Sequence, residues 1–246
     1  FGTQFKDFPQ VDGPIVCDYD NFGSTSSEFQ LGKDYHVIVD TEMENGDILD
    51  DQLEMLNNAL SLAKADSIDN LFVYGHRTLW VESYPEMRGL FTDNTQSLIS
   101  TNFEDEVLPL LTEIGKHCHV YWFAGSLGNS PASFFYHCDE ERNIKYIATA
   151  IRGLPRDAVL HVNSNDSEIS FEVESLTGQE LKNFEDYDVA YWKANSDLPK
   201  PFNWRLVPLY IKNTFLHRYF WYGAGFGMII ILMINRILNK RIRAKN

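Results

Sequence analysis

The stretch NLFVYGHR, residues 70–77, is a short apolar run that ends in Gly, His and Arg, and it decides the fold class. A continuous apolar run of this length is typical of a strand that is buried on both faces of a parallel sheet. Similar runs lie at residues 35–40 and 119–125, and amphipathic helical patterns at residues 50–65 and 103–116 separate the three. Alternation of strand and helix indicates parallel pairing, so the sequence predicts an α/β fold.

Three further strand patterns indicate an antiparallel part that closes the fold. They occur at short spacing, at residues 145–149, 158–163 and 168–174. Together with the alternating first half, they predict an α/β sandwich of two sheets flanked by helices.

Charge is divided very unevenly along the chain. The sequence contains 21 Lys and Arg and 35 Asp and Glu, but the last 49 residues hold nine of the basic residues and none of the acidic ones. The first 197 residues therefore carry 12 basic and 35 acidic side chains, a net charge of −23. We interpret residues 1–197 as one acidic domain, and this charge argues against nucleic acid as a partner.

An apolar run near the C-terminus predicts a membrane anchor. The run YFWYGAGFGMIIILMI covers residues 219–234, and Ile237 and Leu238 extend it to about 20 residues, the length that spans a bilayer core. Aromatic residues begin it and basic residues follow it, which predicts a cytoplasmic C-terminus and a periplasmic or extracellular acidic domain. The predicted linker along the membrane surface, transmembrane helix and basic tail are residues 198–218, 219–238 and 239–246. The alternative is a helix buried in a protein core.

Two glycines suggest that this helix docks as well as anchors. Gly223 and Gly227 are four residues apart, which allows another helix to approach closely. This spacing predicts an integral-membrane protein complex as the partner. Alternatively, these glycines are present because Gly is simply common in membrane helices.

Polar residues follow several of the predicted strands, where sites form in open α/β sheets. The segments are residues 40–42, His76 with Arg77, and residues 125–128, while Asp18 and Asp20 follow a shorter apolar stretch. His and carboxylate side chains gathered at strand ends could bind a metal ion. A single His after a strand also has a purely structural interpretation.

Roughly residues 14–175 resemble the later part of calcineurin-like metallophosphoesterases, most closely their exported bacterial branch. The stretches that carry the resemblance are DYHVIVDTE, NLFVYGHRTLW, VLPLLTEIGKHCHVYWFAGSLG and KYIATAIRGLPRDAVLHV. The resemblance implies that His76 stands where that family has a metal-binding His. It also implies that residues 125–128 match the family's Gly-His-x-His box, or the Gly-Asp-x-Gly variant of this branch, and that residues 17–20 match its Gly-Asn-His-Asp box.

The chain departs from this family where the metals and the catalytic His would be. Ser126 and Gly128 provide neither an imidazole nor a carboxylate, and Tyr19 replaces the catalytic His. The family's first two boxes, Asp-x-His and Gly-Asp, have no match. A two-metal phosphoesterase needs a full ring of ligands, and Arg77 adds positive charge where a second cation would sit. We therefore expect a domain without metal or other cofactor. The vestigial-site candidates are Asp18, Asp20, His76, Arg77 and Ser126.

The sequence leaves three functions to compare. The first is a non-catalytic, membrane-anchored accessory subunit that contacts a membrane protein complex and membrane lipids. The second is an active metal-dependent phosphoesterase whose first motifs lie upstream of Phe1, and the third is an extracytoplasmic domain that binds a glycan or a lipid headgroup. A Cys118–Cys138 bridge is possible outside the cytoplasm.

Overall fold

The computed structural model describes residues 26–42, 46–87, 90, 101–127, 130, 132–165, 168–198, 211, 215–216 and 218–243. The chain divides into two compact units, Phe1–Pro201 and Phe202–Asn246. The strands are β1 (Ser27–Leu31), β2 (Asp34–Ile38), β3 (Asn70–Gly75), β4 (His119–Ala124), β5 (Phe134–Asp139), β6 (Ile144–Thr149), β7 (Ala158–Asn165) and β8 (Glu168–Ser175). The helices are α1 (Asp50–Lys64), α2 (Leu108–Gly115), α3 (Val189–Ala194) and α4 (Arg218–Arg243).

The first unit is a mixed α/β domain with two sheets. Six strands form the larger sheet in the order β1-β2-β3-β4-β6-β5, and β7 and β8 form a separate antiparallel hairpin. Strands β2, β3, β4 and β6 are mutually parallel, whereas β1 and β5 pair antiparallel at the two edges. The carboxyl ends of these four parallel strands therefore point the same way and lie side by side.

One face of the larger sheet is buried beneath the helices. Val37, Val73 and Trp122 stand in register on this face, and none of them is exposed. The Phe103 ring lies edge-on to Trp122 with centroids 5.4 Å apart, and Phe103 begins a π-helical turn that leads directly into α2. Helix α1 contributes four more buried side chains to the same core: Met55, Leu56, Ala59 and Ala63.

The opposite face carries a row of stacked rings. Phe29, His36, Phe72 and Tyr121 occupy matching positions on β1 to β4, with successive centroids 4.6, 4.9 and 5.1 Å apart. Phe171 of β8 contacts Tyr121 at 6.1 Å, so the β7–β8 hairpin lies over this side of the sheet. Cross-strand ring pairs of this kind help to fix strand register.

The predicted alternation of strands and helices is confirmed, with three differences. Strands β1 and β5 were not predicted, and β6 belongs to the larger sheet, parallel to β4 and antiparallel to β5. Of the three later strands, β7 and β8 form the predicted antiparallel part. Cys118 and Cys138 are free thiols. Strand β6 separates β4 from β5, and two strand spacings of about 4.8 Å exceed the Cα separation that a disulfide allows.

The second unit is described mainly by α4. It begins at Arg218, ends at Arg243 and covers the segment in which the sequence predicts a transmembrane helix. Judged by length and apolarity together, no helix in the described part of the chain could cross a membrane.

Candidate functional site

Three strand ends meet at the carboxyl edge of the larger sheet. The Thr41 hydroxyl oxygen, just after β2, accepts hydrogen bonds from the backbone N–H groups of His76 (3.1 Å) and Arg77 (2.9 Å). The backbone N–H of Gly125, just after β4, donates to the carbonyl oxygens of Gly75 (3.3 Å) and His76 (3.1 Å). We refer to Glu42, His76, Arg77, Gly125 and Ser126 as the strand-end site.

The main interaction at the strand-end site is an ion pair between Glu42 and Arg77. Arg77 Nε donates to Glu42 Oε1 at 2.5 Å, and Nη2 donates to Oε2 at 2.6 Å, so both carboxylate oxygens accept. These hydrogen bonds lower the pKa of the Glu42 carboxyl below its usual value and raise the pKa of the guanidinium. Two parallel hydrogen bonds of this kind hold the guanidinium and the carboxylate in one relative orientation and also strengthen their attraction.

The backbone before Glu42 is positioned by two further hydrogen bonds. The Asp40 N–H donates to Gln52 Oε1 of α1 at 2.6 Å, and the Glu42 N–H donates to Asp40 Oδ1 at 2.8 Å. The second bond is the local turn that Asp side chains commonly make with a backbone N–H two residues later. Helix α1 thus helps to hold Glu42 opposite Arg77.

His76 lies beside this ion pair and faces solvent. Its side chain is 58% exposed, and its Nε2 is 3.9 Å from Glu42 Oε1. A Cβ built on Gly125 would be 3.6 Å from His76 Nδ1, so the end of β4 passes close to the imidazole. The site therefore presents one accessible imidazole beside a carboxylate that already has a cationic partner.

These residues do not fit a two-metal centre. Both oxygens of Glu42 bind the guanidinium, and Arg77 places a fixed positive charge beside the only imidazole of the strand-end site. Within the described ranges, no three His, Cys, Asp or Glu side chains are grouped so that they could hold a metal ion. Metal ligation by Glu42 would first require its separation from Arg77.

The structure brings together three of the five predicted site residues. His76, Arg77 and Ser126 follow adjacent parallel strands, whereas Asp18 and Asp20 lie outside the described residues. Sequence analysis grouped Glu42 with the polar strand ends but did not identify it as the partner of Arg77. The signal was the position of each residue shortly after its strand, Glu42 four places beyond β2 and Arg77 two places beyond β3, but pairing required the neighbouring order of β2 and β3.

The two predicted docking glycines lie on open parts of α4. A Cβ at Gly223 or Gly227 would meet no atom within 4 Å in the structure described. Small residues at these positions therefore leave room for close approach by another backbone.

Compared with known proteins, the chain matches no family model, no curated protein and no solved structure.

Proposed function

We propose that this chain is a non-catalytic accessory subunit, attached to a membrane protein complex through α4. Its domain is a metallophosphoesterase-like sandwich in which an ion pair stands where the family holds metal. The observation that carries the non-catalytic part is the two-bond contact between Arg77 and Glu42. The parallel order of β2, β3 and β4, with His76 and Ser126 following adjacent strands, supports the resemblance on which the sandwich rests.

The ion pair opposes metal binding for an electrostatic reason. Arg remains protonated at any ordinary pH, so Arg77 keeps its positive charge next to the site. A divalent cation would have to displace it from Glu42 and then bind beside it. With the carboxylate neutralised, His76 would be left as the main ligand of the strand-end site, and one imidazole does not hold a catalytic metal.

Metal analysis of the full chain tests the non-catalytic part. Purified protein dialysed against Mn²⁺ or Zn²⁺ should retain less than one tightly bound metal ion per chain and should not hydrolyse a chromogenic phosphodiester. Arg77→Ala releases Glu42, and His76→Ala removes the imidazole. Two retained metals per chain, with hydrolysis that His76→Ala abolishes, would overturn the proposal in favour of an active phosphoesterase.

The exposure of α4 supports the membrane part. Ile230, Ile231, Leu232 and Met233 are consecutive, so they point in directions about 100° apart around the helix, and their exposures range from 41% to 65%. Over these four residues α4 is apolar on all sides, a pattern typical of a helix buried in a large core or in a membrane. The absence of Asp and Glu after residue 197 also suits a segment close to lipid phosphates.

Fractionation and protease protection test attachment and direction. The full chain should stay with membranes after an alkaline carbonate wash and should be released by detergent. In sealed right-side-out vesicles, added protease should digest the acidic domain and spare a tag after Asn246. Recovery of the chain in the carbonate supernatant would remove the membrane part of the proposal, and digestion of the tag alone would reverse its direction.

A double variant tests whether α4 also docks. Gly223→Leu with Gly227→Leu fills the open positions with apolar bulk and should leave membrane attachment unchanged. Loss of co-purifying membrane proteins in mild detergent is expected if the glycines form the contact. Unchanged co-purification at the wild-type ratio would mean that α4 is only an anchor.

A further inference from the structure

The N-terminal end of α4 carries a cluster of contacting rings. Phe215 and Phe220 lie 4.9 Å apart between centroids, Phe220 and Trp221 5.3 Å, and Tyr219 and Tyr222 6.1 Å. We call these residues the aromatic collar. They surround the first turn of the helix, and the aliphatic run of α4 begins only after them.

The collar combines exposed apolar rings with polar edges. Tyr219, Trp221 and Tyr222 are 59%, 58% and 67% exposed. Trp221 Nε1 donates to the carbonyl oxygen of Phe215 at 2.7 Å, so the indole N–H already has an acceptor. Trp and Tyr with one apolar and one polar end concentrate at the boundary between hydrocarbon and water in membranes.

Arg218 adds a cation at the same level. Its guanidinium carbon lies 5.0 Å from the centre of the Tyr219 ring, and Nη2 donates to the Tyr219 hydroxyl oxygen at 3.1 Å. This contact aligns the guanidinium with the collar and uses one of its five N–H donors. Residues 198–246 contain no Asp or Glu, so no side chain of this segment offers Arg218 a carboxylate.

We propose that the aromatic collar sits at the headgroup level of a phospholipid bilayer and that Arg218 binds a lipid phosphate there. The planar guanidinium matches phosphate with two parallel hydrogen bonds. The collar fixes the depth of the helix, and the aliphatic residues after it lie deeper. This inference rests on the proposed membrane attachment and adds its lipid contact.

A lipid surface fits these residues better than a protein groove. A groove covers one side of a helix, whereas the residues exposed at 230–233 point to all sides of α4. The order of residues along α4 also matches a single bilayer leaflet, from Arg218 through the collar to the aliphatic run. Along this order the side chains change from charged to aromatic to aliphatic, as the bilayer changes from headgroups to hydrocarbon.

Depth-dependent quenching of Trp221 tests the position of the collar. The full chain carrying Trp204→Phe is bound to vesicles of phosphatidylcholine and phosphatidylglycerol whose acyl chains carry bromine near the headgroup or near the bilayer centre. Trp80, Trp122 and Trp192 are buried in the first unit and provide a constant background. Shallow bromine should quench more strongly than deep bromine, and adding Trp221→Phe should remove that difference.

Lipid titration tests Arg218. Arg218→Gln should weaken partition into the same vesicles about fivefold, because a basic residue near an anionic surface contributes about that factor. Arg218→Lys keeps the charge but loses the planar fork, so it should fall between the wild type and Arg218→Gln. Lys193→Gln removes one exposed charge from the first unit and should leave partition unchanged.

The outcomes separate this inference from the proposed function. If the wild type does not bind vesicles at all, membrane attachment fails, and the lipid contact fails with it. If it binds but deep bromine quenches Trp221 equally well, the collar is not at the headgroups. If it binds and Arg218→Gln behaves as Lys193→Gln does, Arg218 holds no phosphate. In these last two cases the attachment stands and the inference is overturned.

Discussion

Arg77 and Glu42 form a pair with two hydrogen bonds across the carboxyl ends of β3 and β2, at 2.5 and 2.6 Å. The contact links two loops that are 35 residues apart in the chain. It lies at the carboxyl ends of neighbouring parallel strands, where sites form in open α/β sheets, and it carries the proposal that the domain is non-catalytic. The same contact also has a measurable effect on stability.

The Glu42–Arg77 pair should stabilise the fold at neutral pH and lose that effect in acid. The pKa of Glu42 is lowered in the folded state because Arg77 donates hydrogen bonds to it. Its contribution is therefore present above the unfolded-state pKa and is lost as the pH falls through the folded-state pKa. Because the Glu42 side chain is half exposed, Glu42→Gln should lower the free energy of unfolding by only about 0.5–1 kcal/mol at pH 7.

Urea denaturation of the wild type and Glu42→Gln at pH 7 and pH 3 measures this difference. The difference should approach zero at pH 3. Glu54→Gln, on the exposed side of α1, is the control and should change little at either pH. A difference of the same size at both pH values would contradict a role for the ionised carboxylate.

His36 should make the stability of the fold depend on pH near neutrality. It stacks between Phe29 and Phe72, and burial lowers the pKa of its imidazole, although Asp34 attracts the proton. The folded state therefore favours the neutral ring, and stability falls as the pH drops below the usual His value of 6.5. His36→Phe keeps a ring in the row and removes this titration.

The measurement is thermal unfolding of both proteins between pH 7.5 and pH 5.5. The wild type should lose more stability over this interval than His36→Phe, even though the variant also loses the contact of His36 Nδ1 with the Tyr74 hydroxyl (3.1 Å). His137 has a lowered pKa through burial as well, but it is present in both proteins. Parallel pH profiles for the two proteins would rule out His36 as a source of the dependence.

Tyr84→Phe should destabilise the first unit by removing one hydroxyl from a buried network. Tyr84 donates to Asp139 Oδ2 at 2.7 Å, and its hydroxyl is 3.2 Å from that of Tyr146. Asp139 would keep its ion pair with Arg142, so the expected loss is about 1–2 kcal/mol in the free energy of unfolding. Tyr191→Phe, at a half-buried ring, is the control, and an equal effect of the two changes would contradict the role of the network.

Gly115→Ala should be the most disruptive of these substitutions. A Cβ at this position would be 2.0 Å from the carbonyl oxygen of Arg142, and a backbone atom cannot move aside cheaply. We expect a loss of about 1–3 kcal/mol in urea denaturation. Gly125→Ala, whose Cβ would make an ordinary contact at 3.6 Å, provides the comparison. If both variants unfold at the wild-type urea concentration, the close approach at Gly115 is not rigid.

The main elements could be predicted from local pattern because their apolar residues follow the period of the structure they form. The run that begins at Leu71 is apolar because β3 is a central parallel strand, and the strand is observed as Asn70–Gly75. Helix α1 was predicted within one residue because its buried side chains recur every three or four positions. These patterns can be recognised within one segment, without knowing which strands or helices pack against it.

Strand β5 escaped prediction because its signals come from tertiary contacts. The turn between β5 and β6 has a left-handed residue, Asn143, at φ 56°, a conformation that Gly adopts most readily and Asn tolerates. That conformation is held from outside the hairpin, because Asn143 Nδ2 donates to the carbonyl oxygens of Gly115 and Cys118 at 3.1 and 3.0 Å. The acidic turn sequence alone indicates only a solvated loop.

The sequence by itself determined the α/β class, the acidic domain with its basic apolar C-terminus, and the strand ends at which polar residues gather. These properties depend on composition and on local periodicity, which each segment carries within itself. Only the tertiary structure decided which strand ends are neighbours and that Glu42 neutralises Arg77. The reason is physical: a hydrogen bond between side chains 35 residues apart depends on sheet order and register, which are set by the packing of the whole domain.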